Sequence, residues 1–247
     1  MSVDRIPVFW LTARQFLEGR SIRVVALLAA VPLLLGIIEI IAVGTDLQVR
    51  NMLGQGFQDL TIPTLLPLIA LILASSALGN EISDRTLLYL ALKPWSRIRI
   101  VLEKYAATIS IGILIAIVLV FAAWALLGGV SSNFDGELLL AMMISIVLAI
   151  GAYAAAFTLL SLLITRVLMA GLLYVLIWES LLAQFIPGLR LLSIQHYVTS
   201  VYANVLADGS VAGSQLSSSG ASVIVLITAS GVFIILTWLR LQQMDLD

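Results

Sequence analysis

RVVALLAAVPLLLGIIEIIAV, residues 23–43, is the stretch that decides the fold. A hydrocarbon core about 30 Å thick is crossed by about 20 helical residues, and this run supplies them. Apolar runs of similar length recur at about 61–78, 100–127, 138–164, 167–186 and 222–240. The composition agrees. Of 247 residues, 61% are hydrophobic and 11% charged, more apolar surface than a water-soluble domain of this size can hide. The expected fold is therefore an all-α membrane protein of six transmembrane helices. It forms one domain over residues 1–247, because no interval between runs reaches the roughly 50 residues of a separate globular unit. Pro32 predicts a kink in the first span.

The charges give orientation. Of the 13 Lys and Arg, only Arg50 and Arg190 fall on one side of the predicted spans; the other eleven share the opposite side. By the positive-inside rule both termini and the polar segment 79–99 are cytoplasmic, and the connection 187–221 faces outside. Residues 4–20 are too polar to span. At 100° per residue Ile6, Phe9, Trp10, Ala13, Phe16 and Leu17 fall on one arc, with Arg14, Gln15 and Glu18 opposite and Leu11 breaking the pattern. That spacing predicts an amphipathic helix lying in the interface. Residues 44–60 read as a polar connection.

Several kinds of chemistry are excluded. There is no cysteine and one histidine, His196, so thiol catalysis, Cys-ligated metals and multi-His metal sites are absent. The only lysines are Lys93 and Lys104, and neither lies in a phosphate-binding G-x-x-x-x-G-K-[ST] loop. There is no G-x-S-x-G elbow and no H-E-x-x-H pair. Two carboxylates draw attention inside the spans. Glu39 lies near a surface, where water solvates it. Glu179 lies near the middle of the fifth run between Trp178 and Ser180, where an ionisable group is costly and marks either a pathway or a pairing with a neighbouring helix.

The informative polar segment is LGNEISDRTLLYLALKPWSRIRIVLEK, residues 78–104. Acidic Glu81 and Asp84 precede Arg85-Thr86 and the apolar stretch 87–92. Pro94 then breaks the helix, Ser96 is placed to cap the next one, and Arg97, Arg99 and Lys104 sit at the membrane surface. A short apolar helix between charged hinges suits docking into a groove on a partner.

Over these residues the chain resembles the membrane (permease) subunit of type-2 ABC transporters of the exporter type. Glu81, Arg85-Thr86, Leu87-Leu88, Pro94-Trp95-Ser96-Arg97 and Lys104 occupy the family's motif positions, with Arg85 standing where a Gly is usual. The resemblance implies an N-terminal elbow helix at 4–20 and a cytoplasmic coupling helix between spans 2 and 3. It also implies short re-entrant helices between spans 5 and 6, of which 195–206 (QHYVTSVYANVL) is one. The coupling residues it implies are Glu81, Asp84, Arg85, Thr86, Pro94, Ser96, Arg97 and Lys104. It further implies a path between two six-span chains lined by spans 2 and 5, with Glu179, Tyr174 and Gln184 as lining residues. The partners would be separate ATPase subunits that carry ATP and Mg²⁺, a second permease chain and membrane lipid, with no nucleic acid. This chain would hold no cofactor, no metal and no catalytic residue. The expected setting is the plasma (inner) membrane of a prokaryote. The apolar spans favour a hydrophobic cargo such as a lipid, drug or peptide. Two other readings remain open at this point: a membrane-embedded enzyme acting on lipid or peptide through Glu179, His196 and Asp208, and a non-transporting membrane anchor.

Overall fold

The structure is a computed structural model that describes residues 7–43, 49–79, 97–131, 134–164, 166–182, 187–206 and 218–243. Helix and short connections account for all of these residues; no strand occurs among them. Two helices open the described chain, α1 (Pro7–Glu18) and α2 (Arg20–Ala29), joined at Gly19. A Cβ at Gly19 would lie 2.7 Å from the Gln15 carbonyl oxygen, so the tight corner needs a residue without one. α2 continues into α3 (Val31–Val43) across a break at Ala30, two residues before Pro32. Proline has no N–H to donate and its ring crowds the preceding turn, which accounts for the predicted kink.

α4 (Val49–Gly56) leads through a π-helical segment (Phe57–Leu65) into α5 (Leu66–Ala74), and a second π segment (Ser75–Gly79) closes this rod. Helix therefore begins well ahead of the apolar run at Thr61. The expected polar connection at 44–60 is corrected over 49–60. Leu53 and Phe57 point into the bundle while Asp59 stays exposed, so the polar residues lie on one side of a helix. Pro63 sits inside the π segment, where the wider turn accommodates its missing donor.

α6 (Arg97–Ser131) and α7 (Gly136–Leu163) form a long hairpin. At about 1.5 Å per residue α6 is roughly 52 Å long and exceeds the bilayer core. Asp135 caps α7, its Oδ1 accepting from the N–H of Glu137 and of Leu138 at 3.1 Å each. α8 (Val167–Leu173) runs into a third π segment (Tyr174–Leu182), and α9 (Pro187–Arg190), α10 (Ile194–Val205) and α11 (Ser219–Gln243) complete the described chain.

Among the described residues five helices are long and apolar enough to cross a membrane: 21–38, 52–77, 98–129, 136–163 and 219–243. The fifth predicted span, 167–186, is not among them; it contains the shorter apolar helix 167–179. The rod 52–77 and α7 form the centre, 78% and 61% buried, while the spans at 21–38 and 219–243 are each only 17% buried. The centre is built from small residues. Ala149, Ala152, Ala154 and Ala155 of α7 are fully buried, which lets neighbouring helices approach closely.

α1 lies along α6. Val8, Ala13 and Phe16 are buried against the bundle, whereas Trp10, Leu11 and Leu17 are exposed. The apolar arc read from the sequence is thus shared between two surroundings. This also explains Leu11, which sits with Trp10 and Leu17 on the exposed apolar side.

Candidate functional site

Two groups of polar side chains interrupt the apolar bundle, one at each end. The first lies where the rod 49–79 ends and α6 begins, on either side of segment 80–96. Glu103 is 7% exposed and Lys104 is fully buried. Glu103 Oε2 accepts from the backbone N–H of Val8 (2.9 Å) and Phe9 (3.1 Å), so a carboxylate of α6 serves the open first turn of α1. Its Oε1 accepts from Arg99 Nε at 2.6 Å, one turn earlier on the same helix. Lys104 Nζ donates to the Ala77 carbonyl oxygen at 2.6 Å, placing a cation at the C-terminal end of the rod. Ser21 Oγ and Ser76 Oγ meet at 2.6 Å and bring α2 into the same junction. α1, α2, the rod and α6 are therefore tied together by the side chains of Glu103, Lys104, Ser21 and Ser76.

Of the coupling residues predicted from the sequence, Lys104 is the one whose side chain the structure places, and it sits in this junction. Arg97 is the first residue of α6, and its side chain lies outside the described set. Glu81, Asp84, Arg85, Thr86, Pro94 and Ser96 lie outside the described residues altogether, as do Gln184, Asp208 and the side chain of Glu39. Sequence reading missed Glu103. Its signal was available, since Arg99 and Glu103 are spaced i,i+4 at the start of an apolar run.

The second group surrounds a cavity of about 480 Å³ at the opposite end. The π segment 57–65 contributes Gln58, Asp59 and Pro63. The facing π segment 174–182 contributes Glu179. The remaining side is closed by Arg190 at the end of α9, by Ser193 after it and, from the first turns of α10, by Gln195, His196 and Thr199. His196 lies in the first turn of α10 and is buried.

Glu179 is fully buried and well supplied with donors. Tyr174 Oη donates to Oε1 at 3.0 Å, the backbone N–H of Ile194 reaches the same oxygen at 3.2 Å, and Ser193 Oγ donates to Oε2. Ser193 is the N-cap of α10 and also accepts from the His196 N–H. The Glu179 carboxylate thus sits at the positive end of α10, which offsets part of the cost of holding it inside apolar surroundings. Tyr174 is held edge-on by Phe157, which stacks with Tyr153. Glu179 and Tyr174, both singled out in the sequence, meet here, but Ser193 and Ile194, which hold the carboxylate, carried no signal. His196 is pushed below the usual imidazole pKa, first by burial and then by the nearby Arg190 guanidinium, so it is neutral at pH 7.

α10 is pinned on its other side too. Tyr202 Oη donates to the Gly54 carbonyl oxygen at 3.3 Å, and its ring packs on Phe57 at 5.2 Å. Near the middle of the rod, Leu71 fits over Gly171 of α8 so closely that a Cβ there would lie 2.2 Å from Leu71 Cδ1.

These features define a multi-pass helical membrane protein with a polar chamber at one end of an apolar bundle and a charged junction at the other. The family model described as ABC-2 family transporter protein matches residues 20–186, more than half of the chain. The chain belongs to that family and is a membrane permease subunit of a type-2 ABC transporter. As a transport component of that family it works with ABC ATPase subunits. A comparison with curated proteins returns no match.

Proposed function

We propose that the chain couples ATP hydrolysis by a separate ATPase subunit to outward movement of a hydrophobic cargo, and that it pairs with a second six-span permease chain. The observation that carries this reading is family membership across residues 20–186. ATP and Mg²⁺ belong to the partner, and segment 79–99 is the coupling segment that receives its motion. The short helix 167–179 with its π extension acts as the remaining span, α1 as the interfacial elbow and α10 as a re-entrant helix on the outer side. Glu179 and Tyr174, with Gln184, line the path. The charge asymmetry supports cytoplasmic termini in a prokaryotic plasma membrane.

The junction supports this assignment physically. A displacement of segment 80–96 pulls on Gly79 and Arg97, and Lys104, Glu103 and Ser76 join those ends to the rod, α1 and α2. The test is co-purification with the ATPase and transport in proteoliposomes. Glu81→Ala and Arg97→Ala are expected to uncouple transport from ATP hydrolysis, or to weaken ATPase docking, while membrane insertion stays intact. Unchanged transport in both variants removes the assignment.

One observation favours a second reading, a membrane enzyme acting on lipid or peptide: Glu179 and His196 line one cavity beside Ser193. The Ser193 hydroxyl, however, is already engaged as a helix cap and as donor to Glu179. Turnover of a lipid or peptide by the isolated chain would favour the enzyme.

A further inference from the structure

We propose that the cavity between the two π segments binds the primary ammonium group of an amphiphilic cargo. This deepens the transport reading and rests on it for the apolar part of the ligand.

The first argument is charge. Asp59 and Glu179 bring two carboxylates to the cavity, against one guanidinium from Arg190. Asp59 is exposed and forms no ion pair among the described residues. Three donors and the N-terminus of α10 hold the Glu179 carboxyl group in place at the cavity wall.

The second argument is independent of charge. Gln195 Oε1 and His196 Nδ1 are buried with no hydrogen-bond partner among the described residues, and both residues line the cavity. His196 is only 5% exposed. Buried polar atoms are ordinarily satisfied, so orphans beside a cavity point to a ligand. An ammonium has three donors and no acceptor. Its three donors suit an amide oxygen, a neutral imidazole lone pair and one carboxylate, and its positive charge suits the second carboxylate as well. An anionic head would face both carboxylates, and an apolar one would leave the orphans dry. At about 480 Å³ the cavity is too small for a whole cargo of the kind the apolar spans suggest, but it is ample for a head group whose tail remains in lipid.

The test uses the full chain in phosphatidylcholine nanodiscs, titrated with dodecylamine, dodecanol or dodecanoate, with empty discs correcting for partitioning. Dodecylamine is expected to bind saturably and about tenfold more tightly than dodecanol. Asp59→Asn and Glu179→Gln are each expected to weaken it about tenfold, the effect of one lost charge-assisted hydrogen bond. Asp59→Asn changes an exposed residue, so it remains informative if Glu179→Gln disturbs α10. Equal affinity for amine and alcohol, tighter binding of dodecanoate, or unchanged binding in Asp59→Asn overturns the proposal. Dodecylamine displaced by phosphatidylethanolamine in the disc supports the same site with a lipid head group as source; binding that survives there supports a free amine cargo. No ATPase is needed in this assay. Failed ATPase coupling with intact amine selectivity therefore removes the transport reading alone, and the reverse result removes this proposal alone.

Discussion

Glu103→Ala isolates the contribution of the junction. The carboxylate accepts two backbone N–H bonds from α1, at 2.9 and 3.1 Å, and it is 7% exposed. Hydrogen bonds to a charged group contribute about 1.5 kcal/mol each at the lower end, and loss of a helix cap costs about 1–2 kcal/mol. The Arg99 ion pair adds little, because the Arg99 side chain is 40% exposed and water screens it. Removing Glu103 should therefore favour the undocked α1 by about 2–3 kcal/mol, roughly a 30- to 150-fold change in the opening equilibrium. Amide hydrogen exchange reads this directly. In a detergent-solubilised or nanodisc sample, peptides from α1 should exchange about 30- to 150-fold faster while those from α7 keep wild-type protection. Glu103→Gln, which keeps an acceptor but not the charge, should fall between. Wild-type protection of α1 in the alanine variant would refute the reasoning. A loss spread equally over α7 would also refute it, since that would make Glu103 a general core residue and not a tie to the elbow.

Two further predictions concern packing and pH. Gly171→Ala drives a methyl group into Leu71 and should lower stability by about 1–3 kcal/mol; a thermal melt of Gly171→Ala/Leu71→Ala should recover part of that loss, and no recovery would show that the contact is not the cause. The lowered pKa of His196 gives a signed pH effect. The unfolded chain takes up the proton near pH 6.5, before the buried imidazole does, so this stabilisation is complete above about pH 6.5 and is lost as pH falls below it. Protection of α10 should drop between pH 7.5 and 5.5, and His196→Gln should flatten the drop; an unchanged profile in the variant would assign the pH effect to another group.

The rod 49–79 meets both polar groups, which matters for how the subunit can respond to its partner. At the junction end Lys104 holds its Ala77 carbonyl, and at the cavity end Gly54 and Phe57 hold Tyr202 of α10. Between them the rod is closely packed, with Ile69, Ala70, Leu71, Leu73 and Ala74 at most 1% exposed. Close-packed interiors transmit displacement and do not absorb it. The irregular turns lie toward the two ends of this rod, at 57–65 and 75–79. Deformable hydrogen-bond ladders therefore stand where the polar groups attach, with a stiff α-helical length between them. π turns are common at functional positions for this reason, since a small change in register re-aims the side chains beyond them.

How much of this was legible depends on range. The apolar runs, an interruption beside Pro32 and the helix α1 follow from composition and spacing within a turn or two; among the described residues five of the runs are helices long enough to cross a membrane, helix breaks at Ala30, and α1 is helical. The carboxylates behaved differently. A buried charge announces its cost in the sequence but not its partner, because the compensating donors come from other elements. For Glu103 the donors are the N–H groups of Val8 and Phe9, more than ninety positions away. For Glu179 they include Ser193 and Ile194, which reach it only because the chain reverses between α8 and α10. Backbone donors leave no trace in residue identity at all, so Val8, Phe9 and Ile194 read as ordinary apolar residues. Asp59 and Gln58 misled in the opposite sense: their polarity suggested a connection, yet they sit on a helix and face a cavity. An apolar environment makes a polar residue conspicuous, and the side of the helix on which it falls decides whether it marks a loop, a tie or a chamber.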